Sequence, residues 1–237
     1  MGIALPKKKS SGSTLMTEGT IWKHILLFSI PLILGNMLQQ LYNTVDSIVV
    51  GNSLGSEALA AVGSSSSLIS LLISFSMGAA AGAGVIVSQF IGAQNEKGVH
   101  ESVHTALAMA LILGVVLTVL GVTLSPQILR WMGTPDEVMP QSVIYLRLYF
   151  AGLLFSVLYN MASGILNAVG NSKRSLLYLA IASFTNIVLD LLFIPVLKMG
   201  IAGAAIATDI SQVLSAVLCM LYLIRVDESY KVTLRKI

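Results

Sequence analysis

Three carboxylates stand inside long apolar runs of this 237-residue sequence: Asp46, Asp190 and Asp209. An ionisable group inside a membrane-spanning helix is costly, so each marks a candidate functional site. Asn186 lies four residues before Asp190, on the same helical face. Counted along their runs at ~1.5 Å per residue, Asp46, Asp190, Thr208 and Tyr145 all fall roughly 8–11 Å below one membrane surface. Together these residues offer carboxylate, amide and hydroxyl oxygens, with backbone carbonyls nearby. Such a set suits a proton, a hard cation such as Na⁺, or a cationic organic molecule. A lone Asn or Thr in a membrane helix ordinarily cross-links helices. Two carboxylates at matched depth favour a functional cluster instead. Asp209 adjoins Thr208, about 100° around the helix, so the two cannot face the same way, and a lesser role is expected for it.

Two further features compete for chemistry. His100-Glu101-Ser102-Val103-His104 matches the H-E-x-x-H zinc-protease pattern. Catalytic zinc needs a third protein ligand. The remaining histidine is His24, in a different run, and Asp190 lies toward the opposite surface. The pattern is therefore expected to be an amphipathic helix start, with an intramembrane zinc protease as the weaker alternative. Arg147, about one turn inside its run, is expected to snorkel outward rather than pair with an interior Asp.

The elements that hold these residues follow from composition. Charged residues make up 11% of the chain, hydrophobic residues 55%, and the mean hydropathy is +0.85. Soluble domains carry about 25% charge, so an ordinary soluble domain is excluded. The bases fall between apolar runs rather than on one cluster, which argues against nucleic-acid binding. Each membrane helix needs about 20 apolar residues. Charge gaps place six such spans: from after Trp22 to Val50, within Glu57–Glu96, within Glu101–Arg130, from near Met139 toward Lys173, Ser175–Leu197, and Ile201–Ile224. Gly-, Asn-, Asp- and Pro-rich stretches separate them. Pro31 is expected to kink or weaken the first span. Gly78 and Gly82 form a small-xxx-small pair suited to close helix packing. Cys219, the single cysteine, is expected to be a buried packing residue.

Orientation follows from Lys and Arg in short loops. With the N-terminus in the cytoplasm, 11 of the 14 basic residues are cytoplasmic, and Arg130, Arg147 and Lys198 lie outside. Both termini are thus expected in the cytoplasm, in a multi-pass protein of the plasma (cytoplasmic, or bacterial inner) membrane. Residues 1–20 read as a cytoplasmic tail, since Ser10–Glu18 is polar where a signal peptide would be apolar. Residues 21–225 read as the six-helix region and 226–237 as a cytoplasmic linker or tail.

A family resemblance runs through residues 16–225. Ser29-Ile30-Pro31-Leu32-Ile33-Leu34-Gly35-Asn36, Leu41-Tyr42-Asn43-Thr44-Val45-Asp46 and Val50-Gly51 resemble the first helix of the multidrug and toxic compound extrusion (MATE) family. Ala58-Leu59-Ala60-Ala61-Val62-Gly63, Gly84-Val85-Ile86-Val87-Ser88-Gln89 and Met132-Gly133-Thr134-Pro135 resemble later segments in order. So do Gly164–Gly170, Asn186-Ile187-Val188-Leu189-Asp190 and Gly203–Thr208. The resemblance implies an all-α transporter of twelve helices in two six-helix lobes, of which this chain is similar to the N-terminal lobe. It implies export of drugs or organic cations in exchange for H⁺ or Na⁺, without a cofactor. It maps the coupling cluster, and any Na⁺ site, onto Asp46, Asn186, Asp190 and Thr208. The substrate cavity is expected at Gln39, Asn43, Tyr145 and Asn160; Tyr145 and Asn160 match polar positions lining that lobe. Asp209 departs from the family, which usually has an apolar residue there. A second lobe is missing, so two copies pair, another chain supplies it, or the sequence is a fragment, the last being favoured. A lipid-linked oligosaccharide flippase of the same fold is the nearest alternative. It would take anionic substrates, whereas the interior ionisable groups here are three Asp against Arg147.

Overall fold

The computed structural model describes residues 20–233. Residues 1–19 of the expected tail and the last four residues lie outside the described residues. Six helices run α1 Ile21–Leu54, α2 Ser56–Gly92, α3 Glu96–Trp131, α4 Met139–Ala168, α5 Ser172–Leu191 and α6 Ile201–Arg225. All six are long and apolar enough to cross a membrane, and the described residues contain no strand. The six spans read from charge gaps are thus present; α1 and α3 run past the expected bounds at both ends, whereas α5 ends at Leu191, short of the expected Leu197.

Turn chemistry fixes the ends. Gly55, at φ +87°, is the single residue between α1 and α2, a conformation that suits glycine. The stretch Gly51–Leu54, which reads as loop in sequence, stays helical up to that point. Asn95 caps α3 by accepting a hydrogen bond from Gly98 N at 2.9 Å. α5 continues into a π-helical turn, Leu192–Val196, in which Leu197 N donates to Leu192 O at 2.9 Å.

The helix axes alternate, giving the bundle two ends. The far end carries the α1–α2, α3–α4 and α5–α6 connections. The near end carries the α2–α3 and α4–α5 connections together with the entry into α1 and the exit from α6.

α4 is the hub, packed on α2, α3 and α6. Over half of its most apolar window is buried, 56%, against 11% for α1. α1 is therefore a peripheral helix, held mainly by α5. Small residues let α4 approach its neighbours. A Cβ built on Gly164 would meet Ala80 O at 2.9 Å, and one on Gly84 would meet Gly164 O at 3.4 Å. The close α2–α4 crossing therefore uses Ala80 and Gly84. Gly78 and Gly82, the pair that stands out in sequence, have open space around them. They lie off the contact face, because two residues along a helix turn the side chain by about 200°. Large side chains such as Leu27, Met37, Ile112 and Phe184 point outward with half or more of their surface exposed, as lipid contact requires.

Candidate functional site

Four helices bring one polar cluster together in the far half of the bundle. α1 supplies Asp46, α4 Tyr145, α5 Asn186 and Asp190, and α6 Thr208. Asn186 and Asp190 are on one face of α5 because they are four residues apart. Asn186 Nδ2 donates to Thr208 Oγ1 at 3.4 Å, a long bond that ties α5 to α6. Asp46 and Asp190 are close enough for their charges to interact, and both act on the Tyr145 hydroxyl. Asp190 is fully buried, and Asp46, Asn186 and Tyr145 are nearly so.

What sets this cluster apart is unused hydrogen-bonding capacity. Among the described residues, neither carboxylate oxygen of Asp190 has a partner, nor does Oδ1 of Asp46 or of Asn186. An ionised carboxylate buried without partners is among the most costly groups a protein can carry. The cluster therefore has open capacity for a proton or a cation. The backbone adds acceptors. The π turn begins two residues after Asp190 and contains Pro195, which has no N–H. A carbonyl one turn earlier, Leu191 in α register or Asp190 in π register, thereby loses its helical donor. π turns of this kind recur at functional sites.

Sequence reading missed the neighbours that close the cluster. Tyr42, Ser183, Ser211, Gln212 and Ser215 line a narrow cleft with Asn186 and Thr208 between α1, α5 and α6. Oγ of Ser183 and Oε1 of Gln212 are also without partners. The signal was present as spacing: Ser183 is three residues before Asn186, and Gln212 four after Thr208.

The expected substrate positions separate. Gln39 and Asn160 line a cavity of about 250 Å³ with Asn36, Tyr159, Ser163 and Asn167. It shares Asn160, Ser163 and Asn167 with a cavity of about 610 Å³ that adds Ser88 and Gln89 of α2. Amides and hydroxyls supply the polarity, and no Asp, Glu, Lys or Arg lines either cavity among the described residues. Tyr145 belongs to the carboxylate cluster instead. Asn43 is exposed on α1, and its carbonyl accepts a hydrogen bond from Ser47 at 2.9 Å.

Asp209 faces away from the cluster. Its side chain lies against the Gly152 backbone of α4, where a Cβ would overlap Asp209 Oδ1, and it is near Tyr149. Arg147 is exposed. The H-E-x-x-H pattern does not form a metal site. His104 Nδ1 is 2.7 Å from the His100 carbonyl, and Thr233 N donates to His104 Nε2 at 2.9 Å, so both ring nitrogens face backbone groups. Among the described residues no three His, Cys, Asp or Glu side chains converge.

Comparison with known proteins agrees on one class. The MatE family model matches residues 31–192. The probable multidrug resistance protein YpnP of Bacillus subtilis (strain 168) is 37% identical over 209 residues, which is 88% of this chain and 47% of the relative. The multidrug export protein MepA of Staphylococcus haemolyticus is 24% identical over 212 residues, 90% of this chain and 47% of that protein. Among solved structures, a MATE protein in the bent conformation is 34% identical with a TM-score of 0.86, covering 92% of this chain and 49% of its own. A MOP superfamily transporter from Pyrococcus furiosus Vc1, described as having a binding pocket of reverse polarity, is 33% identical. Its TM-score is 0.89, and the match covers 96% of this chain and 50% of the other. The chain thus spans about half the length of the relatives it matches.

Proposed function

We propose that this chain, which belongs to the MatE family, is the cation-handling half of an efflux antiporter that exchanges H⁺ or Na⁺ for organic cations. One observation carries the reading. Asp190 is fully buried, both of its carboxylate oxygens are unpartnered among the described residues, and Asp46 stands beside it. Asp46, Asn186, Asp190 and Thr208 then hold the coupling ion. The amide-lined cavities at Gln39 and Asn160 form the substrate's path. They supply hydrogen bonds and apolar contact without a fixed countercharge, which suits varied amphiphilic drugs better than anionic lipid-linked sugars. Coupling follows if ion and substrate each favour a different arrangement of the same helices.

In this reading the partner is a second six-helix lobe or a second copy of the chain, which closes the cavity side of the bundle. Both termini lie in the cytoplasm of a cell whose plasma membrane the protein spans. The positive-inside distribution of Lys and Arg supports that orientation.

The test is binding of a fluorescent organic cation to the purified chain in detergent, as a function of pH and Na⁺. Wild type is expected to bind more weakly as H⁺ or Na⁺ rises. Asp190→Asn is expected to remain folded and to lose that dependence. Retention of the full dependence in Asp190→Asn sinks the assignment.

A further inference from the structure

Two helices of the lobe leave a groove on its lipid-facing side. α2 and α3 both pack mainly on α4 and touch each other less. Between them runs a groove of about 730 Å³ that reaches Met161 of α4. Ala79, Gly82 and Ala83 keep its α2 wall low, and a Cβ built on Gly82 would meet nothing within 4 Å. Phe75, Met109 and Ile112 line it with more than half of their surface exposed.

The groove is graded along the bundle axis. Its α3 wall runs from Glu101 to Val116. Glu101, Ser102 and Thr105 stand toward the near end, and every α3 residue lining it beyond Thr105 is apolar. From Thr105 to Val116 the wall is ~16 Å long at the helical rise. One leaflet of a bilayer's hydrocarbon core is about 15 Å deep, half of the ~30 Å total. The apolar part thus spans one leaflet, with polar groups where that leaflet meets water.

A second hollow, of about 620 Å³, adjoins the groove. It shares Glu101, Thr105, Met109 and Ile112 and extends to Lys97 and His100. Donors and acceptors stand side by side there. Glu101 Oε1 is 3.7 Å from Lys97 Nζ, beyond hydrogen-bond length, so each keeps capacity for another partner. Ser102 Oγ donates its hydrogen to the Gly98 carbonyl at 2.7 Å, so toward the groove it can only accept. Glu101 and Ser102 therefore call for an N–H donor, whereas Lys97 and Thr105 can donate to an anion.

We propose that the α2–α3 groove is a binding site for one phospholipid with a primary-amine headgroup, of the phosphatidylethanolamine class. An acyl chain lies in the apolar groove, the ammonium donates to Glu101 and Ser102, and the phosphate accepts from Lys97 and Thr105. A mouth with one acid and one base matches a zwitterion. A choline headgroup has no N–H to give, and a glycerol headgroup leaves a net negative lipid facing Glu101. The groove stays open to lipid when a partner closes the cavity side of the bundle. That cavity uses Ala81, Val85 and Ser88 of α2, whereas the groove uses Ala79, Ala83 and Ile86. Two residues are about 200° around a helix, so these are opposite faces. The inference stands whether or not the transport reading holds.

The test is native mass spectrometry of the full chain, delipidated in detergent and titrated with phosphatidylethanolamine, phosphatidylcholine or phosphatidylglycerol of identical acyl chains. Wild type is expected to take up its first phosphatidylethanolamine roughly fivefold more tightly than either other lipid, the size of one exposed ionic contact. Glu101→Gln, at a side chain 65% exposed, is expected to fold and to bind the three lipids alike. Gly82→Leu puts a branched side chain into the open groove and is expected to lose tight uptake of the first lipid. Equal uptake of the three lipids by wild type overturns the proposal, as does a preference that survives Glu101→Gln or uptake that Gly82→Leu leaves unchanged. So does a preference for phosphatidylglycerol, which would make the mouth a basic patch. Dimer masses in place of lipid adducts overturn it too, since a second copy of the chain would then cover the groove.

Discussion

Gly152→Ala asks where Asp209 points. An alanine Cβ at Gly152 would overlap Asp209 Oδ1 and Cγ and lie 2.9 Å from its Cβ. Contacts under 3 Å with the root of a side chain are not relieved by turning its tip. α4 and α6 must separate slightly, or Asp209 must leave its position. Overpacking of this kind costs about 1–3 kcal/mol. For a chain of this size, 1 kcal/mol moves Tm by about 2–4 °C, so a fall of roughly 2–12 °C is expected. Asp209→Ala removes a partly buried carboxylate packed against α4, and is expected to be neutral or stabilising. In that background the two contacts beyond Cβ are gone, so Gly152→Ala should cost about 1–2 kcal/mol less than in wild type. Thermal unfolding of the four proteins in detergent, followed by circular dichroism, gives the cycle. A Gly152→Ala cost that is the same in both backgrounds would refute the packing. If Asp209→Ala also removed the ion dependence of cation binding, Asp209 would belong to the coupling cluster after all.

Two further predictions follow from packing and burial. Gly164→Val, which drives a Cβ into the Ala80 backbone at 2.9 Å, should cost roughly 3 kcal/mol or more. Gly82→Ala has open space and should be neutral or gain up to about 1 kcal/mol from helix propensity; equal losses in the two Tm values would show that the α2–α4 register is wrong. The unpartnered Ser183 Oγ and Gln212 Oε1 face a cleft with about 10 Å³ of room for a water-sized centre. That is close to the minimum for one molecule, so a water bridging the two is expected in a high-resolution density map, and a dry cleft refutes it.

The sequence carried some of this geometry and withheld the rest for a definable reason. Helical spacing fixes which residues share a face of one helix. It therefore placed Asn186 with Asp190 and separated Asp209 from Thr208. Counting from span ends fixed depth, which is why Asp46, Tyr145, Asp190 and Thr208 could be assigned to one level before any packing was known. Neither rule says which neighbour a face meets. Gly78 and Gly82 looked like a contact pair, but α4 meets the face of Ala80 and Gly84. Asn43 reads as a cavity residue one position from Tyr42, yet a 100° rotation puts it outside. The Thr233 contact of His104 spans 129 residues and could not be read from any local pattern.

The separation of two polar zones bears on how coupling would work. The far zone holds the carboxylates, and the near zone is uncharged and lined with amides. An ion in one and a drug in the other do not need to touch. They need a shared element, and α1, α4 and α5 each line both zones, α1 doing so through three polar residues. Gln39 is in the amide cavity, Tyr42 in the cleft with Asn186 and Thr208, and Asp46 in the cluster. These positions step by three and four, so they form one stripe. Tyr42 stands between Gln39 and Asp46 on that stripe, so a change at either end is next to it. α1 is also the least buried span, and Pro31 removes one of its backbone bonds near the end that carries the amides. A weakly held helix that presents a continuous polar stripe to both zones can move with little loss of packing. A rigid link through α4 would have to disturb the hub that holds the lobe together.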